Sequence, residues 1–211
     1  MKKRISSAAV LLLVITTLFA QSVQAASSKA YVKLYKALLE QGGRTTTTSY
    51  GSYQTPFTSF LLLDINRDGT PELVTKSSRP ETAFCTVMIY TVRKGKLYYC
   101  GEYSTKTQAN LLYNKKAKTV YDSWWTNGVG GSGSVTYAVN AKKHKIVVKR
   151  WAWTGADGYG SSKMVYRIGA KQTSTTKSKF NKYVKKYFAK KRFKTYKYVL
   201  NTASNRASKI R

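Results

Sequence analysis

The nine residues Asp64-Ile65-Asn66-Arg67-Asp68-Gly69-Thr70-Pro71-Glu72 place carboxylates at their first, fifth and ninth positions and a side-chain amide at the third. Calcium takes six to eight such hard oxygen donors at about 2.3–2.6 Å. A curled backbone would let the oxygens of Asp64, Asn66 and Asp68 converge. Gly69 permits the sharp turn, Thr70 offers its carbonyl, and Glu72 closes the set with both carboxylate oxygens. The chain has 8 acidic residues against 38 basic ones, so three in one loop is a marked concentration. Carboxylates this close repel one another without a counter-ion. An EF-hand would put its closing glutamate at the twelfth position, which here is Thr75, so this loop is not an EF-hand. The competing reading is an acidic turn held by Asx-type hydrogen bonds with no metal. Calcium, as a structural cofactor, is the expectation.

Groups for catalysis are scarce. His144 is the only histidine and lies in a lysine-flanked turn, Lys142-Lys143-His144-Lys145. No spacing brings Cys85 or Cys100 to it. Asp122 beside Trp124-Trp125, with Asp157 in a glycine-rich loop after Trp153, is the one arrangement that could supply the paired carboxyls of a glycosidase-type hydrolase. The glycine stretch at 128–133 lacks the lysine and hydroxyl of a phosphate-binding P-loop. No catalytic residue is assigned.

Binding groups are plentiful. The formal charge is +30, which attracts polyanions through long-range, salt-sensitive forces. Lys179, Lys182, Lys185, Lys186, Lys190, Lys191 and Arg192 crowd one C-terminal stretch and form the expected polyanion-binding set. The leading expectation is a non-catalytic domain that binds an anionic surface polymer such as cell-wall teichoic acid. Nucleic acid would be bound only non-specifically. The runner-up is a calcium-stabilised carbohydrate-binding module that stacks sugar on Trp124 or Trp125, whose side chains must point to opposite faces of one strand. A hydrolase using Asp122 and Asp157 is third.

The elements that must position these groups follow from local pattern. Lys2, Lys3 and Arg4 precede an apolar run from Ala8 to Ala20, and Val23-Gln24-Ala25 suits a signal peptidase, so residues 1–25 read as a secretory signal peptide. The mature chain is expected to be secreted, extracellular or cell-wall associated, with no integral membrane segment. Losing three basic residues and no acid lowers its formal charge to +27. Residues 26–198 read as one α+β domain, mainly an antiparallel meander with a helix at each end. Residues 199–211 read as a basic, partly disordered tail.

Ser27 or Ser28 can cap the first helix, in which Tyr31, Leu34, Tyr35 and Leu38 recur at helical spacing until Gly42-Gly43. A polar threonine-rich connector follows at 44–49. Strands are predicted at 58–64, 72–76, 83–92, 97–103, 108–113, 118–125, 134–140, 145–153 and 163–168. Short turns between them require antiparallel pairing. A second helix is predicted at about 177–190, with Phe180, Tyr183, Val184, Tyr187 and Phe188 on one face and lysines on the rest. A hairpin over 83–103 would leave Cys85 and Cys100 several residues apart along the strands, so their disulfide is left open.

The motif Asp-Ile-Asn-x-Asp-Gly-x-Pro-Glu-Leu between two strands resembles the calcium loop of uncharacterised exported proteins from Gram-positive, clostridial-type gut bacteria. It is carried here by Asp64, Asn66, Asp68, Gly69, Pro71, Glu72 and Leu73. Similar loops occur in integrin-type propeller repeats, but a single copy does not make a propeller. The region from Tyr166 to Lys186, a strand, a glycine turn and a lysine-rich helix, resembles the C-terminal part of the same group. The resemblance implies an exported, calcium-stabilised β domain and no established activity.

Overall fold

The computed structural model describes residues 30–49, 51–77, 84–106, 109–126, 131–158 and 161–211. The predicted signal peptide at 1–25, the predicted Ser27 or Ser28 cap, the loop at 127–130 and the side chain of Trp125 lie outside the described residues. Helix α1 runs through residues 30–40. It turns Tyr35 and Leu39 fully into the core and stops where Gly42 takes a φ of 74°, a conformation that carries no Cβ penalty in glycine.

The predicted connector after it is a hairpin, β1 (Gly43–Thr48) paired with β2 (Gly51–Pro56). Most of β2 is exposed, so no apolar alternation marks the pair. Cross-strand contact between the Thr47 and Ser52 hydroxyls, 2.8 Å apart, takes its place.

The remaining strands form two antiparallel sheets rather than one continuous meander. The first is built on β3 (Ser59–Leu63), β4 (Glu72–Lys76), β5 (Phe84–Arg93) and β6 (Lys96–Lys106), with β14 (Val199–Leu200) beside β3, in the order β14-β3-β4-β5-β6. The body of the second is β7 (Leu111–Asn114), β8 (Thr119–Thr126), β9 (Gly131–Asn140), β10 (Lys145–Ala156) and β11 (Met164–Ile168), with β12 (Thr173–Ser174) at one edge and β13 (Lys194–Tyr196) beside β7 at the other. Its order is β12-β11-β10-β9-β8-β7-β13. Each sheet is a meander in its own right, and the chain changes sheet between β6 and β7.

Alternation along the strands divides the apolar residues between two cores. Leu61, Val74, Val87 and Ile89 of the first sheet meet Leu111, Tyr113, Val120 and Val139 of the second, forming the interior of a sandwich. Tyr103 stacks on Tyr137 across this gap with centroids 4.8 Å apart. The alternate residues Phe60, Leu73, Met88 and Tyr90 point the other way and are covered by Tyr35 and Leu39 of α1. The outer face of the second sheet is covered by α2 (Lys177–Tyr187). Thr176 caps this helix, and Phe180 lies 5.3 Å from the Tyr166 ring. Tyr121 sits between Phe188 and Phe193.

The C-terminal stretch is part of this framework, which corrects the reading of 199–211 as a tail. After a 3-10 turn at Lys190–Arg192, β13 (Lys194–Tyr196) pairs with β7 and β14 (Val199–Leu200) pairs with β3. One short segment thus borders both sheets. Helix α3 (Ala203–Lys209) follows, and Ile210 beyond it is fully buried against the α1 side. The Asn201 amide donates to the carbonyls of Leu39 and Phe57, each at 3.0 Å, and Tyr31 Oη donates to the Arg211 carbonyl at 2.8 Å.

The β5–β6 hairpin settles the cysteines. Lys94 and Gly95 both take positive φ, as a two-residue type I′ turn requires. Cys100 falls at a bulge opposite Ile89 and Tyr90, whereas Cys85 pairs with Thr105, five residues further along β6. That is about 16 Å of strand, well beyond disulfide reach. Both thiols are free and buried, and burial pushes Cys100 up to about 12.

Candidate functional site

The acidic loop joins β3 to β4, and the pairing of Leu63 with Glu72 fixes both its ends. Glu72 lies on the inner face with no exposure, next to the equally buried Ile65. Its carboxylate accepts from the Ile65 N–H at 2.7 Å and from the Asn66 side-chain amide. The Asp64 oxygens accept from the N–H groups of Asp68 and Gly69, both at 3.1 Å, and Asp68 accepts from the Thr70 N–H at 3.0 Å. Gly69 has φ 91° and Arg67 has φ 61°, the left-handed conformations that such a tight loop demands. Tyr113, on the opposite sheet, donates to the Ile65 carbonyl at 2.9 Å and anchors the loop across the sandwich.

The electrostatics of the loop are unbalanced. Burial, joined by the charges of Asp68 and Asp64 and opposed by the hydrogen bond from Ile65, raises the Glu72 carboxyl to about 8. The one ion pair among the described residues joins Lys163 to Asp157, 3.3 Å apart and exposed, so none of their basic side chains is paired with the loop. The oxygen donors therefore have the chemistry of a hard-cation site. Their arrangement fits it in part, because no group of three or more Asp, Glu, His or Cys side chains is arranged to hold a metal ion among the described residues. Glu72 is turned inward onto Ile65 and Asn66. Asp64, Asn66, Asp68 and the Thr70 carbonyl are the groups that would hold an ion, with Glu72 orienting Asn66.

The basic set is presented outward. Lys179, Lys182, Lys185, Lys186, Lys190, Lys191 and Arg192 are all exposed, while the aromatic face of α2 is taken up by packing on the second sheet. The sequence reading missed a second basic feature. A cleft of about 550 Å³ opens between the β7–β8 turn, β10 and the C-terminal end of α2. Lys116, Lys149, Arg150 and Arg192 line it together with Tyr187 and Phe193, and none of the described residues lining it is acidic. Nothing in local sequence joins these four cations, since they come from three separate parts of the chain.

The tryptophans occupy the far end of the second sheet. Register places Trp124, Gly133 and Trp153 side by side on one face. The Trp124 ring lies where a Cβ on Gly133 would sit, and its centroid is 6.4 Å from that of Trp151. Trp124, Trp151 and Trp153 are half-buried.

Asp122 and Asp157 are not brought together. Asp122 is buried between the sheets and accepts from Thr105 Oγ1 at 2.6 Å. It aligns through Val135 with Trp151, six residues before Asp157 on the same strand run, a separation of about 20 Å. Paired glycosidase carboxyls stand roughly 5–10 Å apart. His144 lies stacked on Tyr98, with ring centroids 3.5 Å apart. Among the described residues no helix is long and apolar enough to cross a membrane. No family model, curated protein or solved structure matches the chain.

Proposed function

We propose that this chain is an exported, non-catalytic domain that binds an anionic surface polymer through its C-terminal basic face. Calcium at the acidic loop would serve its stability. The observation that carries this reading is the orientation of α2. Its apolar face is spent on the sheet, and its lysines stand in solvent without carboxylate partners among the described residues. Such a helix offers charge rather than an apolar stripe, which favours docking on a polymer over burial in a lipid surface.

The test is retention of the chain on purified Gram-positive cell walls, with and without teichoic acid, across a salt series in calcium. Retention should fall steeply with salt and on removal of teichoic acid. Retention that survives both would move the function to the second reading, neutral-glycan stacking at Trp124 or Trp125. The half-buried tryptophans sharing a face beside Gly133 favour that reading.

A further inference from the structure

We propose that the cleft lined by Lys116, Lys149, Arg150 and Arg192 is a specific subsite for one phosphate-ester unit, distinct from the diffuse charge of the exposed lysines. As the point of capture on the polymer it rests on the preceding reading; as a small-ligand site it does not.

Three independent observations converge on it. The first is charge: four cations surround one cavity and no acid among the described residues lines it. Like charges gathered around a partly enclosed space repel one another until an anion enters. The second is an orphan. Thr136 lines the same cleft, is 3% exposed, and its hydroxyl has no hydrogen-bond partner. A buried hydroxyl left unpaired is costly, and a ligand oxygen in the cleft would satisfy it.

The third is the backbone. The β9–β10 register slips between Val148 and Arg150, so Lys149 is the extra residue of a bulge. In a regular strand Lys149 and Arg150 would point to opposite faces, whereas here both line the cleft. Arg150 is held in place by its own Nη1 donating to the Lys149 carbonyl at 2.8 Å and by the Tyr187 ring 4.7 Å beneath its guanidinium. Guanidinium groups match the oxygen spacing of phosphate. Tyr187 and Phe193 supply apolar surface for the carbon skeleton of the ester, and the volume is in the usual range for small-molecule sites. The partial negative charge at the end of α2 is met by Lys185 and Lys186 in its last turn.

The experiment is calorimetric titration of the mature chain with glycerol phosphate, with glycerol and inorganic sulfate as comparisons. Arg150→Gln/Arg192→Gln is set beside the charge-matched Lys179→Gln/Lys182→Gln. Glycerol phosphate should bind, glycerol should not, and the cleft variant should weaken binding about tenfold or more while the helix variant leaves it unchanged. Thr136→Val, which removes the orphan hydroxyl, should keep or raise Tm and still weaken binding severalfold. No binding by the unaltered chain, or equal weakening by the two charge variants, would overturn the subsite. Sulfate bound as well as glycerol phosphate would overturn its assignment to phosphate. Glycerol phosphate bound without wall retention would remove the wall reading and leave the cleft. Wall retention that the cleft variant keeps in full would remove the cleft as the point of capture.

Discussion

The carboxylate of Glu72 accepts a hydrogen bond from the backbone N–H of Ile65, seven residues earlier, and neither residue has any exposed surface. The bond closes the acidic loop from inside while Asp64 and Asp68 stay nearer solvent. It also leaves a carboxylate buried beside two others with no basic partner among the described residues.

A pH dependence follows for the chelated protein. Unfolded, Glu72 releases its proton near the ordinary 4.5, whereas in the fold burial and the neighbouring charges hold the proton to about 8. Between those values the folded state binds more protons. Its stability is therefore complete below about 4.5 and is lost as pH rises through 8, by an amount on the order of a few kcal/mol. Asp122, raised by burial, acts in the same direction. Urea unfolding in chelator should give a more stable protein at pH 5 than at pH 8. Calcium should abolish most of the difference, and Asp64→Asn with Asp68→Asn should abolish the calcium effect. Equal stability at both pH values in chelator would contradict the buried charge, and a calcium-independent melt would contradict the ion.

Gly133 is required by Trp124. A Cβ there would lie 2.1 Å from the indole, so Gly133→Val must displace the ring. Overpacking of this kind costs roughly 1–3 kcal/mol. The expected result is a lower Tm together with red-shifted tryptophan emission. Unchanged emission would mean that the ring does not rest on Gly133.

Ile210 is a core residue. Ile210→Ala should destabilise by about 2–5 kcal/mol, the range for large-to-small changes at buried sites. Limited proteolysis gives a second reading. The last residues should resist cleavage until the whole fold opens, and early trimming would show that they are not integrated.

The thiols of Cys85 and Cys100 should stay unreactive toward a thiol reagent in the native state and both react after denaturation, because both are buried and unpaired. A reductant should leave Tm unchanged. A reductant-sensitive melt would require a bridge between positions held about 16 Å apart.

The strands with apolar alternation were legible in sequence. Phe60, Leu61, Leu73 and Val74 announce β3 and β4, and the spacing of Phe180, Tyr183, Val184 and Tyr187 announces α2. What escaped has no local signature. β1 and β2 are polar strands held by each other, and β12, β13 and β14 are two or three residues long and are made by distant partners. No residue near Lys106 states that the chain leaves one sheet for another. The basic cleft was hidden for the same reason, since Lys116, Lys149, Arg150 and Arg192 meet only once the C-terminal segment has docked beside β7. The loop donors were visible as a set, whereas the inward turn of Glu72 depends on the Leu63–Glu72 register.

The segment from Lys194 to Leu200 pairs with β7 and β3, the first strands of their respective sheets in chain order. During synthesis the oldest strand of each sheet therefore waits, with an unpaired edge, until the residues up to Leu200 have emerged. Until then neither sheet is sealed and the polypeptide remains threadable. A product cut short near residue 193 would carry two adhesive edges instead of none at those positions.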